Sequence, residues 1–323
     1  MCMRISDSLL RQIESDLGLN IRYIKGQGDI PVRNCWHFST DGNAVDVLFW
    51  DDDDYRDGMN RIAVLAPSYK VIILAFALMD NHVHFVLYGN KSECDRFMHE
   101  YVRRTSMHIA NRHGERHKLS DLPIDCQPVD TDYYLKVVIC YVLKNATVAG
   151  KPFLPTDYPW SSGPLMFRTA GTWCAPYWIE PDGMRSESFG AEDTRAFLRT
   201  RDSSTRKWIL TKDIVFPGEY VAYELAEKIF RSHKSFIYFM GLSKESEVDS
   251  RGGWISNLSI PDSEMRQHKQ EICKELFGVN TVKSLDTSKR IKLARAIRAR
   301  YQCSPKQVAR LCGLVYAEVK DQI

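Results

Sequence analysis

The sequence lacks the features that would place it in a membrane or outside the cell. No apolar run approaches the roughly 20 residues that cross a bilayer. The first residues contain no signal-peptide core. The nine cysteines are scattered, form no C-x-x-C pair, and mostly lie in apolar surroundings. We therefore expect a cytoplasmic protein with reduced cysteines and no membrane partner.

Net charge is also small, at +3, but it is unevenly distributed. Residues 281–323 carry +7, and the rest of the chain carries −4. A basic C-terminal segment predicts a polyanion as partner, whereas a solvated helical face is the alternative interpretation. The length of 323 residues predicts two or three folding units.

The strongest periodic signal is a β-hairpin in the first third of the chain. Val71 to Leu78 is a continuous apolar run, typical of a buried strand, and His82 to Tyr88 alternates with the period of a half-buried strand. Asp80 and Asn81 lie between them, where a tight turn is expected. His82 and His84 then leave the sheet on one face. Such a pair can bind a metal ion, although strand histidines also occur as packed core residues.

The elements around this hairpin predict an α+β fold. Arg33 to Thr40 reads as a strand, a helix follows the acidic run Asp51 to Asp54, and Lys91 to Arg116 reads as a long helix. The order strand, helix, strand, strand, helix is typical of a ferredoxin-like antiparallel sheet with helices on one side. Val45 to Phe49 either extends the first strand or pairs with it. The aspartates either cap the helix or bind a cation.

A loop containing Pro123 and Pro128 leads to a later helix that carries two polar groups on one face. It is predicted over Tyr133 to Val148, after an N-cap at Thr131-Asp132 and before a stop at Gly150. Tyr141 and Asn145 lie four residues apart, which places a phenol and a carboxamide side by side. Tyr134, seven residues before Tyr141, lies on a similar face and is a rival candidate for any reaction that needs a tyrosine.

The rest of the chain is less informative. Lys151 to Ser162, rich in proline and aromatic residues, predicts a strap packed over the domain. Asp182 to Asp193 resembles a linker, and Val221 to Ser232 predicts a helix. Near the end, Ser288 to Tyr301 predicts an amphipathic helix, and Pro305 to Ile323 resembles a helix-turn-helix with its recognition helix at Val315 to Ile323. A plain helical hairpin is the alternative.

Two imidazoles, a tyrosine and an amide form a chemically coherent set. A divalent ion accepts imidazole and carbonyl oxygen ligands together, and three protein ligands leave positions for phosphate oxygens. The ion would act as a Lewis acid on a phosphodiester. Tyr141 would attack phosphorus in line and form a covalent phosphotyrosine, which preserves the bond energy for rejoining.

Three segments of the chain resemble three motifs of one protein family, and they occur in the same order. Met79 to His84 resembles the histidine-hydrophobic-histidine hairpin of the HUH endonucleases, specifically of single-tyrosine transposases of the REP-associated type. Cys140 to Gly150 resembles the tyrosine helix of that family, and Asp157 to Ser162 resembles the segment that follows it. The sequence departs from the family pattern at Asp80, usually proline, at Leu143, usually histidine, and at Ala146, usually proline.

The resemblance covers roughly residues 33–163 and implies cleavage of single-stranded DNA with a 5′-phosphotyrosine link and a free 3′ hydroxyl. It implies Tyr141 as nucleophile, and His82, His84 and Asn145 as ligands of Mg²⁺ or Mn²⁺. DNA transposition and recombination would be the reaction class. We predict three regions: a nuclease domain at 1–163, a middle region of unknown role at 164–262, and a basic helical DNA-binding module at 263–323.

The predicted partners are single-stranded DNA with hairpin structure and, through the C-terminus, duplex DNA; a homodimer is left open. Trp160 or Tyr158 is a candidate stacking platform. The candidate phosphate contacts are Arg103, Arg104, Arg112, Lys144, Arg295, Arg298, Lys306 and Arg310. The alternative function is a non-catalytic DNA-binding regulator that uses the same sheet as a scaffold and acts through its C-terminal helices.

Overall fold

The computed structural model describes residues 6–22, 28–42, 44–45, 47–114, 122–168, 185–188, 191–200, 207–211, 214–242, 248, 262–301, 305–319 and 322. The chain divides into two compact units, Met1–Ser243 and Lys244–Ile323. Within the described ranges, no helix combines the length and the apolar content that crossing a bilayer requires.

The first unit is built on a four-stranded antiparallel sheet in the order β2-β3-β1-β4. Its strands are β1 (Cys35–Thr40), β2 (Ile72–Leu78), β3 (Val83–Tyr88) and β4 (Ile124–Pro128), and its first helices are α1 (Asp7–Asp16), α2 (Asp52–Leu65), α3 (Lys91–His113) and α4 (Asp132–Val148). From β1 to β4 the chain runs strand, helix, strand, strand, helix, strand, which confirms the predicted α+β, ferredoxin-like arrangement.

Strand β4 corrects the prediction of a loop between Pro123 and Pro128. The five residues Ile124–Pro128 pair with β1 along one edge of the sheet. The segment contains aspartate and glutamine and ends in proline, so it has no apolar run that would indicate a strand. Its pairing therefore depends on β1 rather than on its own β-propensity.

Helices cover both faces of this sheet, one more face than predicted. The ring of Phe85 contacts Phe97 and Tyr101 of α3, with ring centroids 5.6 and 5.1 Å away. The ring of His84 contacts Tyr141 of α4, with centroids 5.4 Å apart. Since neighbouring residues of a strand point to opposite faces, α3 and α4 lie on opposite sides of β3.

The outer edge of β2 is covered by two later segments. Leu78 donates its backbone N–H to the carbonyl of Trp160 at 2.8 Å, and Ser162 donates to Phe76 at 3.0 Å. Ala222 donates to the carbonyl of Ile73 at 2.9 Å. These contacts confirm the strap predicted from Lys151 to Ser162. They also satisfy edge groups that would otherwise be open to pairing with another chain.

The hairpin turn is tied to two neighbouring segments through Asp80. Its carbonyl accepts the backbone N–H groups of Leu48 and Phe49 at 2.5 and 3.0 Å. Its carboxylate accepts from the hydroxyl of Tyr55 and from Nζ of Lys151, both at 2.6 Å. The described residues between Val45 and Phe49 therefore form no strand; they bind the turn instead, which corrects both predicted alternatives.

The first unit extends past residue 163, where the sequence analysis ended the first domain. It includes β5 (Arg185–Ser188), β6 (Lys207–Thr211) and β7 (Ile214–Val215), which form a second antiparallel sheet, and the helices α5 (Ala191–Leu198), α6 (Tyr223–Phe230) and α7 (His233–Gly241). Leu210, Val215 and Tyr220 belong to the same apolar core as Phe85. The predicted linker from Asp182 to Asp193 thus contains β5 and the start of α5, because its polar composition conceals a short strand.

The second unit is helical, as predicted for the C-terminal region. It contains α8 (Asp262–Phe277), α9 (Thr287–Tyr301), α10 (Pro305–Leu311) and α11 (Tyr316–Val319). Its core includes Met265, Leu293, Ile297 and Val308. Helix α11 forms a single turn, shorter than the nine-residue recognition helix predicted over Val315 to Ile323; residues 320, 321 and 323 lie outside the described residues.

Asp51, the first residue of the acidic run, caps α2, as one of the two alternatives predicts. The carboxylate of Asp51 accepts the backbone N–H groups of Asp53 and Asp54 at 3.1 and 3.2 Å. The guanidinium of Arg112 binds the same carboxylate. Because of this ion pair and the capping bonds, the pKa of Asp51 lies below its ordinary value.

We expect Asp51→Ala to lower the free energy of unfolding by about 1 to 2 kcal/mol, because the first N–H groups of α2 lose their acceptor. Asp51→Ser keeps an oxygen cap and should lose less than half of that amount. Asp52→Ala, which removes an exposed charge from the same turn, should change stability by under about 0.5 kcal/mol. Urea unfolding measures all three. Equal losses for the Ser and Ala variants would contradict the capping role.

Candidate active site

The β2–β3 hairpin places two histidines on one face of the sheet, as predicted. His82 ends the turn, and His84 is the second residue of β3. Their ring centroids lie 4.8 Å apart with the rings nearly perpendicular. His84 is 5% exposed and His82 is half-buried. The pair thus forms the floor of a site that is open on the side of His82.

Helix α4 brings Tyr141 and Asn145 to this pair. The helix begins after Thr131, whose hydroxyl oxygen accepts the N–H of Tyr134 at 3.2 Å. Asn145 Oδ1 lies 3.3 Å from His82 Nε2. Both Tyr141 and Asn145 are half-buried. The four residues predicted to form one site therefore converge from two separate elements.

A third histidine, His37, belongs to the same cluster and was not predicted as a site residue. Its Nε2 lies 3.2 Å from His84 Nδ1, and its ring centroid lies 5.8 Å from that of Tyr141. His37 is opposite Val86 in the β1–β3 ladder, two pairs from Ser39 opposite His84. The alternation of Cys35, His37 and Ser39 predicts that these three side chains share one face of the strand. It does not predict the register between β1 and β3, which places that face beside His84.

A hydrogen-bond chain fixes the orientation of His82. Asn81 donates from Nδ2 to the carbonyl of Gly42 at 2.5 Å, so its Oδ1 is left as an acceptor. That oxygen lies 2.8 Å from His82 Nδ1. Nδ1 must therefore carry the proton of a neutral His82, and the lone pair of Nε2 faces Asn145 Oδ1.

Burial keeps the histidines of the site neutral. Desolvation lowers the pKa of His37 to about 4 and lowers the pKa of His82. It lowers the pKa of His84 well below the ordinary value, with His82 and His37 adding like-charge repulsion. Neutral imidazole is the form that binds a metal ion, since the ligating nitrogen must be unprotonated.

The residues present fit a divalent cation. His82 Nε2 and Asn145 Oδ1 are both electron-pair donors and face each other at 3.3 Å, an arrangement that a cation between them would stabilise. Within the described ranges, no three His, Cys, Asp or Glu side chains are grouped so as to hold a metal ion. The predicted set differs from such a group because its third ligand is an amide.

The rival tyrosine is inaccessible. Tyr134 is fully buried, and its hydroxyl donates to Gln127 Oε1 at 3.2 Å. A DNA strand could reach it only if α4 separated from the sheet. For any reaction that needs an accessible phenol, the geometry therefore favours Tyr141 over Tyr134.

The candidate phosphate contacts of the first unit are engaged with the protein itself. Arg103 and Arg104 both bind Glu100. Arg112 binds three carboxylates of the acidic run at the start of α2. Nζ of Lys144 donates to the carbonyl of Leu242 at 2.5 Å. The three arginines also line a cavity of about 1000 Å³.

The two candidate stacking platforms pack inside the first unit. Trp160 is 7% exposed, and its ring stacks on Tyr55 with centroids 4.9 Å apart. Tyr158 is 1% exposed and donates its hydroxyl to the carbonyl of Leu78 at 2.7 Å. A platform for DNA bases needs an open ring face, so their burial argues against this role.

The C-terminal candidates lie on α9 and α10 of the second unit. Arg295 donates from Nε to the carbonyl of Gln322. Arg298 and Arg310 occupy exposed positions. Lys306 belongs to α10, but its side chain lies outside the described residues. Their role in binding duplex DNA stays a prediction.

Comparison with known proteins gives little further information about the function of this site. No protein-family model matches the chain. No curated protein matches it either. A solved structure of a REP-associated tyrosine transposase bound to a REP hairpin is similar over 44% of this chain and 82% of its own, with 12% sequence identity and a TM-score of 0.29. That similarity is too low to carry a functional argument.

The ion pairs of Glu100 make a pH-dependent contribution to stability. Hydrogen bonds from Arg103 and Arg104 lower its pKa from 4.5 to about 2. The contribution is therefore complete above pH 4.5 and is lost as the pH falls toward 2. We expect the difference in unfolding free energy between wild type and Glu100→Gln to be largest above pH 4.5 and to shrink below it. Urea unfolding from pH 7 to 2.5 measures this, with Glu93→Gln as the control for losing a charge from the same helix.

Proposed function

We propose that the protein is a metal-dependent endonuclease and strand transferase for single-stranded DNA, with Tyr141 as its nucleophile. The observation that carries the proposal is the convergence of Tyr141, His82, His84 and Asn145 from a hairpin and a helix far apart in the chain. Packing alone gives no reason for one buried and one half-buried imidazole to face an amide and a half-buried phenol.

The ligands of the ion would be Nε2 of His82, Nε2 of His84 and Oδ1 of Asn145. A bound Mg²⁺ or Mn²⁺ supplies Lewis-acid stabilisation of negative charge on the scissile phosphate. The buried imidazoles stay neutral, and Asn81 holds His82 with its Nε2 lone pair toward the ion. The amide brings no charge, so the net positive charge that favours an anionic substrate is retained.

Tyr141 would carry the covalent step. Its phenolic oxygen attacks phosphorus, the bond between phosphorus and the 3′ oxygen breaks, and the phenolic proton is released as the departing 3′ oxygen gains one. The product is a 5′-phosphotyrosine and a free 3′ hydroxyl. Attack by another 3′ hydroxyl reverses the chemistry and joins a new strand. The edge-on contacts of Tyr141 with His37 and His84 would hold the phenol beside the site.

The proposal also assigns a role to two of the three predicted regions. Residues 1–163 would cut and rejoin single-stranded DNA with hairpin structure, and residues 263–323 would add duplex binding; 164–262 has no assigned role. The alternative is a non-catalytic DNA-binding regulator that acts through the C-terminal helices. The exposed positions of Arg298 and Arg310 are what favour it.

A covalent adduct separates the two functions. Wild type incubated with Mn²⁺ and labelled single-stranded hairpin DNA should form an adduct that survives denaturation, and Tyr141→Phe should reduce it at least about 100-fold because no nucleophile remains. Tyr133→Phe, on the same helix but packed against Phe239, is the matched control and should keep the adduct. An adduct in Tyr141→Phe would contradict the assignment, and none in wild type across a wide pool of substrates would favour the regulator.

The amide ligand can be tested without DNA. Asn145→Ala should weaken Mn²⁺ binding about tenfold or more, equivalent to about 1.4 kcal/mol, because one ligand is lost. Asn145→Asp restores an oxygen ligand and should bind at least as tightly as wild type. Isothermal titration calorimetry gives the affinities, with Thr147→Ala as a control from the same end of α4. Unchanged affinity in Asn145→Ala would remove Asn145 from the ligand set.

A further inference from the structure

We infer that His37 is a positioning residue: it holds His84 in the tautomer whose Nε2 is free to bind a metal ion. The inference rests on the proposed function, because it concerns how one ligand of that site is prepared. His37 is buried and polar, and neither the sequence motifs nor the role of Tyr141 explains why a histidine occupies this position.

The contact is close and sheltered from solvent. His37 Nε2 and His84 Nδ1 are 3.2 Å apart, and the rings are nearly parallel with centroids 5.4 Å apart. His37 is 2% exposed. His84 is also buried, so water competes little for its Nδ1, and His37 Nε2 lies within hydrogen-bond distance of that atom.

Two neutral imidazoles at this distance share one proton, so only two arrangements exist. In one, His84 donates from Nδ1 to His37 Nε2, and His84 Nε2 keeps its lone pair. In the other, His37 donates from Nε2, and His84 Nε2 carries a proton that blocks metal binding. His37 therefore determines whether His84 is competent as a ligand.

The neighbouring histidine has a partner of the same kind. His82 Nδ1 faces Asn81 Oδ1 at 2.8 Å, and this oxygen can only accept. In the first arrangement, His37 accepts from His84 as Asn81 accepts from His82. Ligating histidines generally direct their second N–H to such an acceptor, which fixes both tautomer and ring orientation.

The other nitrogen of His37 points to a role beyond packing. His37 Nδ1 is buried and has no hydrogen-bond partner among the described residues. An unsatisfied buried polar atom is costly, and an apolar side chain at this position of β1 would avoid it. The contact with His84 is what a histidine provides here and an apolar side chain does not.

Mn²⁺ binding by matched variants of the full chain tests the inference. His37→Leu fills a similar volume without an acceptor and should weaken binding 10- to 100-fold. His37→Gln can place its Oε1 near the position of Nε2 and should stay within about threefold of wild type. Thermal unfolding of each variant reports on its fold. Wild-type affinity in a folded His37→Leu, or equal losses in folded Leu and Gln variants, would overturn the inference.

Imidazole tautomers provide a second test that needs no substitution at His37. Long-range ¹H–¹⁵N correlation spectra of wild type, with and without Mg²⁺, should assign the His84 proton to Nδ1; a proton on Nε2 in both conditions would overturn the inference. His84→Ala tests the metal site itself. If wild type binds no Mn²⁺, the proposed function fails, and the tautomer still decides the inference about His37.

Discussion

The antiparallel register between β1 and β3 is the constraint on which the candidate site depends. It places Ser39 opposite His84 and thereby brings His37 beside that ring. Phe85, the next residue of β3, is held on the other face by aromatic contacts with α3. A slip of one residue would exchange the two faces and bury an imidazole among aromatic rings. Apolar packing on one side of the sheet therefore holds the polar groups in place on the other.

Much of this arrangement could be predicted where local pattern and tertiary role agree. The hairpin, helix α4 and the strap follow from alternation, capping and proline content. The approach of Asn145 to His82 was implied by the family resemblance and not by local pattern, because it depends on how α4 docks. Strand β4 was missed because its residues pair with β1 without an apolar run of their own. The burial of Trp160 could not be predicted, because composition does not distinguish an open aromatic ring from one stacked on Tyr55.

Counting positive residues also overstates the positive charge that the first unit leaves unpaired. Arg103, Arg104 and Arg112, all on α3, are each paired with at least one carboxylate. Each guanidinium has five donors, so such a pair still leaves N–H groups for a phosphate, but the local charge is largely balanced. Any strong electrostatic contribution to DNA binding must then come from elsewhere, and the +7 segment at residues 281–323 is the clear reserve of positive charge.

Asp80, which stands where the family that the sequence resembles usually has proline, joins the two halves of the site. Its carboxylate binds Lys151, the residue just beyond α4, so the turn before His82 is fastened to the helix end near Asn145. Proline would stiffen the turn alone, whereas this ion pair spans the gap between hairpin and helix. An exposed pair adds little to global stability and weakens as salt screens it. Higher ionic strength would therefore weaken the link between the hairpin turn and the segment that follows α4, while the fold stays intact.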